Sequence, residues 1–317
     1  MINQEIRFSK ALKSIARHQE LKSYFQNSKE FFPILEKGAK RFVAGEKREE
    51  GIERVINLYN KGHEVSIEFI GENTTSEAEC ILAKNEFKEL IKELGDNQLK
   101  TTVSFDLSHI GMMLSDELAF TNLKELAEEA QKHHIQLMIS MEESQKTDKI
   151  LSLYQKVSKS FTNVGITLQV HLERSSVDLN ELLKTSGRIR LVKGAYQESE
   201  GSYIPRSEEL NKRYIEFVST CIDNNHPLSV ATHDESILID LKAKGLLCRT
   251  NVEVEMLDGV RPDVLRSLNE DNIQTKVYVT YGSEWYLYLV HRIAEYPPNI
   301  YSFISDIIEQ NTRPNVN

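Results

Sequence analysis

The spacing of hydrophobic residues along the chain changes near residue 60. Before that point, apolar side chains such as Phe31, Ile34 and Leu35 recur every three or four residues, a period that predicts helices. After it, eight short runs rich in β-branched and aromatic residues alternate with amphipathic segments of helical length. The predicted strands are Glu64–Ile70, Thr101–Ile110, Ile135–Met141, Val164–His171, Arg188–Ala195, Leu228–His233, Asn251–Leu257 and Lys276–Tyr281.

Eight strand–helix units over about 250 residues predict a (βα)8 barrel. The alternative is an open doubly wound sheet, which usually begins with a glycine-rich turn, but no GxGxxG follows the first predicted strand. We therefore expect an α/β fold of the TIM-barrel type. Residues 1–60 are expected to form a helical segment packed on the barrel, and residues 61–317 the barrel with its C-terminal helices.

Two local signals refine this expectation. Thr74 and Glu77 have the spacing of a capping box and predict the start of a helix. Pro297-Pro298 is expected to divide the last helical region in two, because proline cannot continue a helix.

Composition narrows the functional classes. The 317 residues carry a net charge of −9 without a basic stripe, which argues against a nucleic-acid surface. Cys80, Cys221 and Cys248 show no CxxC spacing, so we expect three buried, unreactive thiols. No run of about 18 apolar residues occurs. We expect a cytoplasmic protein that does not span a membrane, and peripheral contact with a membrane stays open.

Polar residues stand at the C-terminal ends of the predicted strands, where a barrel of this type forms its active site. A shared ligand explains this better than chance, although each residue alone has an even chance of being a solvated side chain. Two other chemistries are open at these positions: zinc bound by His109, His171 and His233, and a Schiff base on Lys193. The polar set comprises Glu72, Asp106, His109, Ser140, Glu142, Gln169, His171, Arg190, Lys193, Tyr196, Thr232, His233, Glu255 and Tyr278.

Six segments resemble motifs of the proline dehydrogenase family in their residues, order and spacing. They are IEFIGE, VSFDLSHIG, RLVKGAY, ATHD, EMLDGV and VYVTYGSEWYLYLVHRIAE. The resemblance covers the predicted barrel, and the N-terminal helices resemble those of the short, single-function bacterial members. It implies a flavoprotein with a distorted (βα)8 barrel that holds FAD noncovalently at its open face.

The resemblance also assigns cofactor-binding residues. Gln169 and Arg190 are implied to contact the isoalloxazine, and Arg190 would stabilise the anion that forms when hydride arrives. The other implied positions are Lys193, Thr232 and His233 for the phosphates and ribitol, Glu295 for the adenosine end, and Val192, Gly194 and Ala195 for a backbone cradle.

The substrate site resembles the family only in part. Its matching positions are Glu72, Tyr196, Leu257, Tyr278 and Arg292, and the resemblance implies that Arg190, Tyr278 and Arg292 are catalytic. Four substrate-side positions depart from the family. They are His291 for one of two arginines, Asp106 for a lysine on the second strand, Ser140 for an aspartate after the third, and Asp258 for an aromatic residue or histidine.

These departures bear on how the substrate is held. Each charge-assisted hydrogen bond to a carboxylate contributes about 1.5–3 kcal/mol, and an ionised Asp106 would repel that carboxylate. We expect free proline to bind weakly, unless Asp106 pairs with His291 and Arg292.

The resemblance implies an FAD-dependent oxidoreductase of proline catabolism. It would oxidise a C–N bond of proline or a proline-like amine by hydride transfer to the flavin, with a quinone or another compound as electron acceptor. Two alternatives stay open. One is a divergent amine dehydrogenase whose substrate lacks the carboxylate or adds a positive group, and the other is a catalytically weak or nonenzymatic flavin-binding relative.

Overall fold

Eight parallel strands close into a barrel in which each strand is hydrogen-bonded to the next and the last returns to the first. The computed structural model describes residues 4, 7–9, 11, 12, 24, 27–196 and 198–312, apart from the side chains of Phe31, Leu287, Glu295 and residues 310–312. The predicted TIM-type barrel is confirmed. Its strands are β1 (Glu64–Phe69), β2 (Thr101–Phe105), β3 (Gln136–Ile139), β4 (Val164–Gln169), β5 (Ile189–Val192), β6 (Leu228–Ala231), β7 (Val252–Leu257) and β8 (Thr275–Tyr281).

Helices alternate with the strands. The helices α1 (Phe31–Ala39) and α2 (Arg48–Tyr59) lie before β1, while the division of the chain at residue 60 stays a prediction. The others are α3 (Glu77–Asp96), α4 (Asp116–Lys132), α5 (Thr147–Val157), α6 (Ser175–Leu182), α7 (Glu208–Asp223), α8 (Glu235–Ala243), α9 (Pro262–Glu270), α10 (Trp285–Glu295) and α11 (Asn299–Thr312). Within the described residues, none of the helices is long and apolar enough to cross a membrane.

Period-two alternation along β1 separates two environments. Val65 and Ile67 are fully buried in the apolar layer between strands and helices. The hydroxyl of Ser66 instead points into the barrel, where it donates to Glu255 on β7 at 2.5 Å. Because side chains two residues apart share a face, Glu68 follows Ser66 on the inner side, toward the C-terminal end of the barrel.

A buried ion pair fills the barrel interior nearer its N-terminal end. Lys276 Nζ donates to Glu253 Oε1 at 2.7 Å and to Thr102 Oγ1 at 3.2 Å, and the Ser229 hydroxyl donates to Glu253 Oε1 at 2.5 Å. Burial alone would raise the pKa of Glu253, but the charges of Lys276 and Arg188 lower it to about 2. This packed polar layer leaves the C-terminal end as the open face for ligands.

Several local expectations need correction. The second strand ends at Phe105, because Leu107–Ile110 fold back as a 3-10 turn. The capping box before α3 is formed by Ser76 and Glu79, because the Thr74 hydroxyl donates to the carbonyl of Ser108 at 2.8 Å. Cys248 is exposed, so the expectation of three buried thiols is wrong. The proline pair does separate α10 from α11, as predicted.

Candidate active site

A cavity of about 1690 Å³ opens at the C-terminal ends of the strands. It is larger than the roughly 300–1,000 Å³ typical of small-molecule pockets. The side chain predicted for the adenosine end, Glu295, lies outside the described part of the structure. Glu142, His171 and Asp258 do not line the cavity. The other positions assigned to the cofactor, the substrate or catalysis do line it: Glu72, Asp106, Ser140, Gln169, Arg190, Val192, Lys193, Gly194, Ala195, Tyr196, Thr232, His233, Leu257, Tyr278, His291 and Arg292.

Arg190 on β5 is held by a buried, two-point ion pair. Its Nε donates to Glu255 Oε2 at 2.7 Å, and its Nη2 donates to Glu255 Oε1 at 3.2 Å. Nη2 also donates to the Ser104 hydroxyl at 2.6 Å. Only 6% of the Arg190 side chain and 2% of the Glu255 side chain are exposed. The guanidinium is therefore fixed in one position at the floor of the cavity.

Tyr278 and Thr167 lie beside Arg190. The guanidinium carbon is 5.0 Å from the centroid of the Tyr278 ring, within the range of a cation–π interaction. Thr167 on β4 is in register with Arg190 on β5 and also lines the cavity. Its hydroxyl is buried and has no hydrogen-bond partner among the described residues. Leaving a buried hydroxyl unpaired costs free energy, so a molecule bound in the cavity would stabilise it.

The backbone after β5 bends over His171. Gly194 has φ +108, and a Cβ at this position would lie 1.3 Å from His171 Nδ1. His171 Nδ1 is 2.8 Å from the carbonyl of Lys193, so this ring supports the turn from below and does not line the cavity. His171 is therefore not positioned to bind a zinc ion together with His109 and His233. In the part of the chain that the structure describes, no cluster of metal-ligating side chains is found.

Lys193 and the loop after β6 form the next part of the wall. Lys193 Nζ donates to Asp234 Oδ2 at 2.5 Å and to Asn211 Oδ1 at 2.6 Å. Burial lowers the pKa of Lys193, and the Asp234 carboxylate opposes that shift. The backbone N–H of Leu257 donates to His233 Nε2 at 3.2 Å, which leaves a neutral His233 ring with its proton on Nδ1. These contacts fix both side chains at the wall of the cavity.

Two carboxyl groups lie together where β1 and β2 end. Glu68 and Asp106 both line the cavity, and neither carboxyl forms a hydrogen bond or an ion pair within the described residues. Burial raises the pKa of Glu68 to about 7, against the opposing charges of Arg190 and Arg292. Burial also raises the pKa of Asp106 well above its ordinary value, and the Glu142, Glu68 and Glu72 carboxyls add to this shift. The alternative in which Asp106 pairs with His291 and Arg292 is therefore wrong.

The positive side of the substrate region comes from α10. His291 and Arg292 are both partly buried and line the cavity. The guanidinium carbon of Arg292 lies 4.4 Å above the ring centroid of Tyr288. Asp258 is not part of the cavity wall, because Arg54 of α2 holds it through two hydrogen bonds of 2.7 and 2.8 Å.

Lys146 ties together loops that follow three different strands. Its Nζ donates to Glu142 Oε2 and to Asn73 Oδ1, each at 2.6 Å, and pairs with Glu143 at 3.0 Å. The other Glu142 oxygen accepts a hydrogen bond from the backbone N–H of Ser108 at 3.1 Å. The rim of the cavity near Asp106 is thus closed by a connected polar network.

Sequence reasoning missed several of these residues. Glu68, Ser66 and Ser104 were not among the candidates, although alternation in EVSIEF already places three polar residues on one face of β1. Thr167 is likewise a polar residue between apolar neighbours on β4, which is only a weak indication of a site. Lys146 could not be found this way, because its contact with Asn73 joins residues 73 positions apart.

Comparisons with known proteins now bear on the function. The family model described as proline dehydrogenase matches residues 51–299. The chain is 31% identical over 276 residues to proline dehydrogenase 1 of Bacillus subtilis, covering 86% of this chain and 91% of that protein. It is also 31% identical over 269 residues to the proline dehydrogenase of Deinococcus radiodurans, covering 82% and 87% respectively.

The chain belongs to the proline dehydrogenase family. It is therefore a flavin-dependent oxidoreductase that acts on a CH–NH group. The prediction from the sequence, an oxidoreductase of this family on a TIM barrel, is confirmed.

Solved structures agree on the fold. A crystal structure of proline utilization A from Bdellovibrio bacteriovorus, inactivated by N-propargylglycine, superposes with a TM-score of 0.77 at 18% identity. The alignment covers 97% of this chain but only 38% of that protein, so this chain spans well under half of its length. A proline utilization A structure from Bradyrhizobium japonicum gives a TM-score of 0.70 at 17% identity.

The cavity fits a flavin. Its volume exceeds the needs of a small amine, and the unpaired Thr167 hydroxyl lies next to a fixed guanidinium. The turn at Gly194 also lets the backbone of Val192–Ala195 approach a ligand without an intervening side chain. These features suit a large, planar, hydrogen-bonding molecule.

Proposed function

We propose that this cavity binds FAD noncovalently and that the protein oxidises the C–N bond of proline or a proline-like cyclic amine. The observation that carries the proposal is Arg190, which is fixed by Glu255 at the floor of a cavity large enough for a dinucleotide. Family membership supports the reaction class.

Residues along one wall are suited to the cofactor. Gln169, Arg190 and the backbone of Val192–Ala195 would hold the isoalloxazine, Lys193, Thr232 and His233 the phosphates and ribitol, and Glu295 the adenosine end. When bound, the flavin accepts the hydride that leaves the carbon next to nitrogen. Arg190 would act as a preorganised positive donor, whose orientation costs nothing at the moment of reaction because Glu255 already holds it.

Other residues would hold the substrate. Arg292 supplies a positive group for the carboxylate of an amino acid, beside His291. Tyr278, Tyr196 and Leu257 offer aromatic and apolar surface for a five-membered ring, and Glu72 and Ser140 complete the wall. Oxidation removes a hydride from carbon and a proton from nitrogen, so the product is a cyclic imine.

The amine dehydrogenase alternative, with a substrate that lacks the carboxylate, is less well supported. The relatives of this chain named above are proline dehydrogenases. Arg292 also provides a positive charge that can pair with a carboxylate. We also propose that a quinone or another acceptor reoxidises the flavin. The protein would be cytosolic, with peripheral contact with a membrane.

A panel of cyclic amines tests the substrate assignment. Purified, FAD-loaded protein is assayed with an artificial dye acceptor, with L-proline and with pyrrolidine, which is the same ring without its carboxylate. Arg292→Met should lower kcat/KM for L-proline by about tenfold or more and leave pyrrolidine unaffected. Equal turnover of the two amines, unchanged by Arg292→Met, would favour the amine dehydrogenase instead.

A further inference from the structure

The cations around Asp106 are committed to other groups. Lys146 donates hydrogen bonds to Glu142 and Asn73 and forms an ion pair with Glu143. Arg190 is held by Glu255 and the Ser104 hydroxyl. Within the described residues, Asp106 and Glu68 therefore face the cavity without a hydrogen bond or an ion pair, although the charges of Arg190 and Arg292 act on Glu68 and that of Lys146 acts on Asp106.

His109 adds an independent observation at the same end of the cavity. Only 7% of this residue is exposed, and its Nδ1 has no hydrogen-bond partner within the described residues. Its ring is stacked on Phe69 at 5.3 Å and touches the backbone at Gly71. Burial lowers the pKa of His109 to about 4, so the ring is neutral and adds no positive charge. A buried polar atom without a protein partner is consistent with a water, an ion or a ligand group at this end of the cavity.

Two buried carboxyls without an ion pair are poorly suited to an ordinary amino-acid substrate. In their ionised form they would repel the carboxylate of proline. The ring nitrogen of proline cannot compensate them in the reacting complex either, because hydride release requires the neutral amine. A second positive group of the ligand would instead stabilise the ionised form of both carboxyls.

We infer that Glu68 and Asp106 form a cation subsite, and that the preferred substrate is a cyclic secondary amino acid with a second positive group, such as an amino substituent. This inference rests on the proposed oxidation in the same cavity. Its carboxylate would meet Arg292, and its second cation would lie between the two carboxyls. Arg292 would then pair with the negative end of one small molecule, and the Glu68 and Asp106 carboxyls with its positive end.

The experiment compares substrates of similar size that differ in charge. FAD-loaded protein is assayed with both isomers of 4-amino-L-proline and both isomers of 4-hydroxy-L-proline, with L-proline as the reference. An isomer of the amino compound should have a kcat/KM at least about tenfold above its hydroxy counterpart, since a charge-assisted pair replaces a neutral contact. A hydroxy compound or proline that reacts as well as the amino compounds would overturn the inference.

Variants test whether the two carboxyls cause the preference. Asp106→Asn and Glu68→Gln keep size while removing charge, and each should bring the amino-to-hydroxy ratio close to one. Glu49→Gln is the matched control, because Glu49 is an exposed acid on the outer wall of the same cavity. The control should keep the ratio of the unmodified protein. A preference that survives both site variants would overturn the inference.

A binding measurement gives a second readout that does not require turnover. A cation placed between the two carboxyls favours the ionised form of Glu68, whose pKa is raised to about 7, so binding should release protons near neutral pH. Calorimetry in two buffers of different ionisation enthalpy should show this release with 4-amino-L-proline and not with 4-hydroxy-L-proline. Equal proton release with both compounds would contradict the subsite even if one variant does not fold. If no cyclic amine reduces the flavin, the proposed function itself fails, whereas equal reduction by all of them removes only the cation subsite.

Discussion

Arg190 and Glu255 form a two-point ion pair inside the barrel, with Nε–Oε2 at 2.7 Å and Nη2–Oε1 at 3.2 Å. The pair joins β5 to β7 and is almost completely buried. Removing one partner of a buried pair leaves the other charge uncompensated and is strongly destabilising. Glu255 therefore acts as a positioning residue for the cation that the proposed reaction uses.

Glu255→Gln should slow reduction of the bound flavin by at least about tenfold, because Arg190 loses its fixed orientation. Glu253→Gln is the control, since Glu253 is a buried carboxylate on the same strand whose partner is Lys276 at the other end of the barrel. Both variants should unfold at lower temperature than the unmodified protein. Rapid-mixing measurements on folded, flavin-loaded protein should find slow reduction only in Glu255→Gln, and equal rates would remove the positioning role.

Gly194→Ala should abolish flavin loading. The substitution adds a Cβ that meets the His171 ring, and it forces alanine into a left-handed backbone conformation at φ +108. Gly245→Ala separates the two effects, because Gly245 also has a positive φ, +66, but has nothing within 4 Å of the added Cβ. Reconstitution with excess FAD followed by desalting should leave flavin on Gly245→Ala and none on Gly194→Ala.

Glu68 should make the protein less stable as pH rises. Its pKa is raised to about 7 in the folded protein, while the unfolded chain has the ordinary value near ~4.3. Between these two values the folded state binds more protons than the unfolded state, so the free energy of unfolding falls as pH increases. The charged groups that influence Glu68 are Arg190, Arg292, Glu72 and Glu142.

Glu68→Gln removes this titration. Thermal unfolding of the variant and the unmodified protein should differ least near pH 5, and the variant should be the more stable of the two at pH 8. A variant that is less stable at pH 8 than at pH 5, relative to the unmodified protein, would contradict the assigned pKa.

Asp106→Lys combined with His291→Arg should improve turnover of L-proline. Lysine removes the Asp106 carboxyl and supplies an attractive charge, and arginine supplies a planar fork suited to a carboxylate next to Arg292. The gain should be on the order of a hundredfold and nonadditive, because both groups meet the same carboxylate. Ser140 limits the gain, since a supporting carboxylate is absent there. A folded, flavin-loaded double variant without any gain would show that the pocket differs in shape as well as in charge.

The barrel could be predicted because its signal is periodic and repeated. Each strand run, such as Val252–Leu257, carries its own β-rich composition, and a pair of prolines marks the gap between α10 and α11. The extent of a single element was less predictable. Leu107–Ile110 is as apolar as the strand before it, and only the fold shows that it turns.

The candidate site could be predicted where residues stand directly after a strand, as Lys193 and His233 do. The protonation and the pairing of each side chain could not be predicted, because they depend on its burial and its partners in the fold. The sequence predicts that Asp106 pairs with Arg292 or contacts the substrate. In the structure Lys146 is engaged by Glu142 and Asn73, and Asp106 faces the cavity without an ion pair among the described residues. Such contacts between distant loops carry no local sequence signal.

Anaerobic reduction of the bound flavin tests the central claim most directly. FAD-loaded protein is mixed with a proline-like cyclic amine in the absence of any acceptor, and the visible flavin absorbance is followed together with the imine product. We predict that the absorbance is lost in one turnover with one imine formed per flavin, and at least about tenfold more slowly in Arg190→Ala. Bound flavin that keeps its absorbance with every cyclic amine, or that is reduced equally fast in Arg190→Ala, would contradict the account.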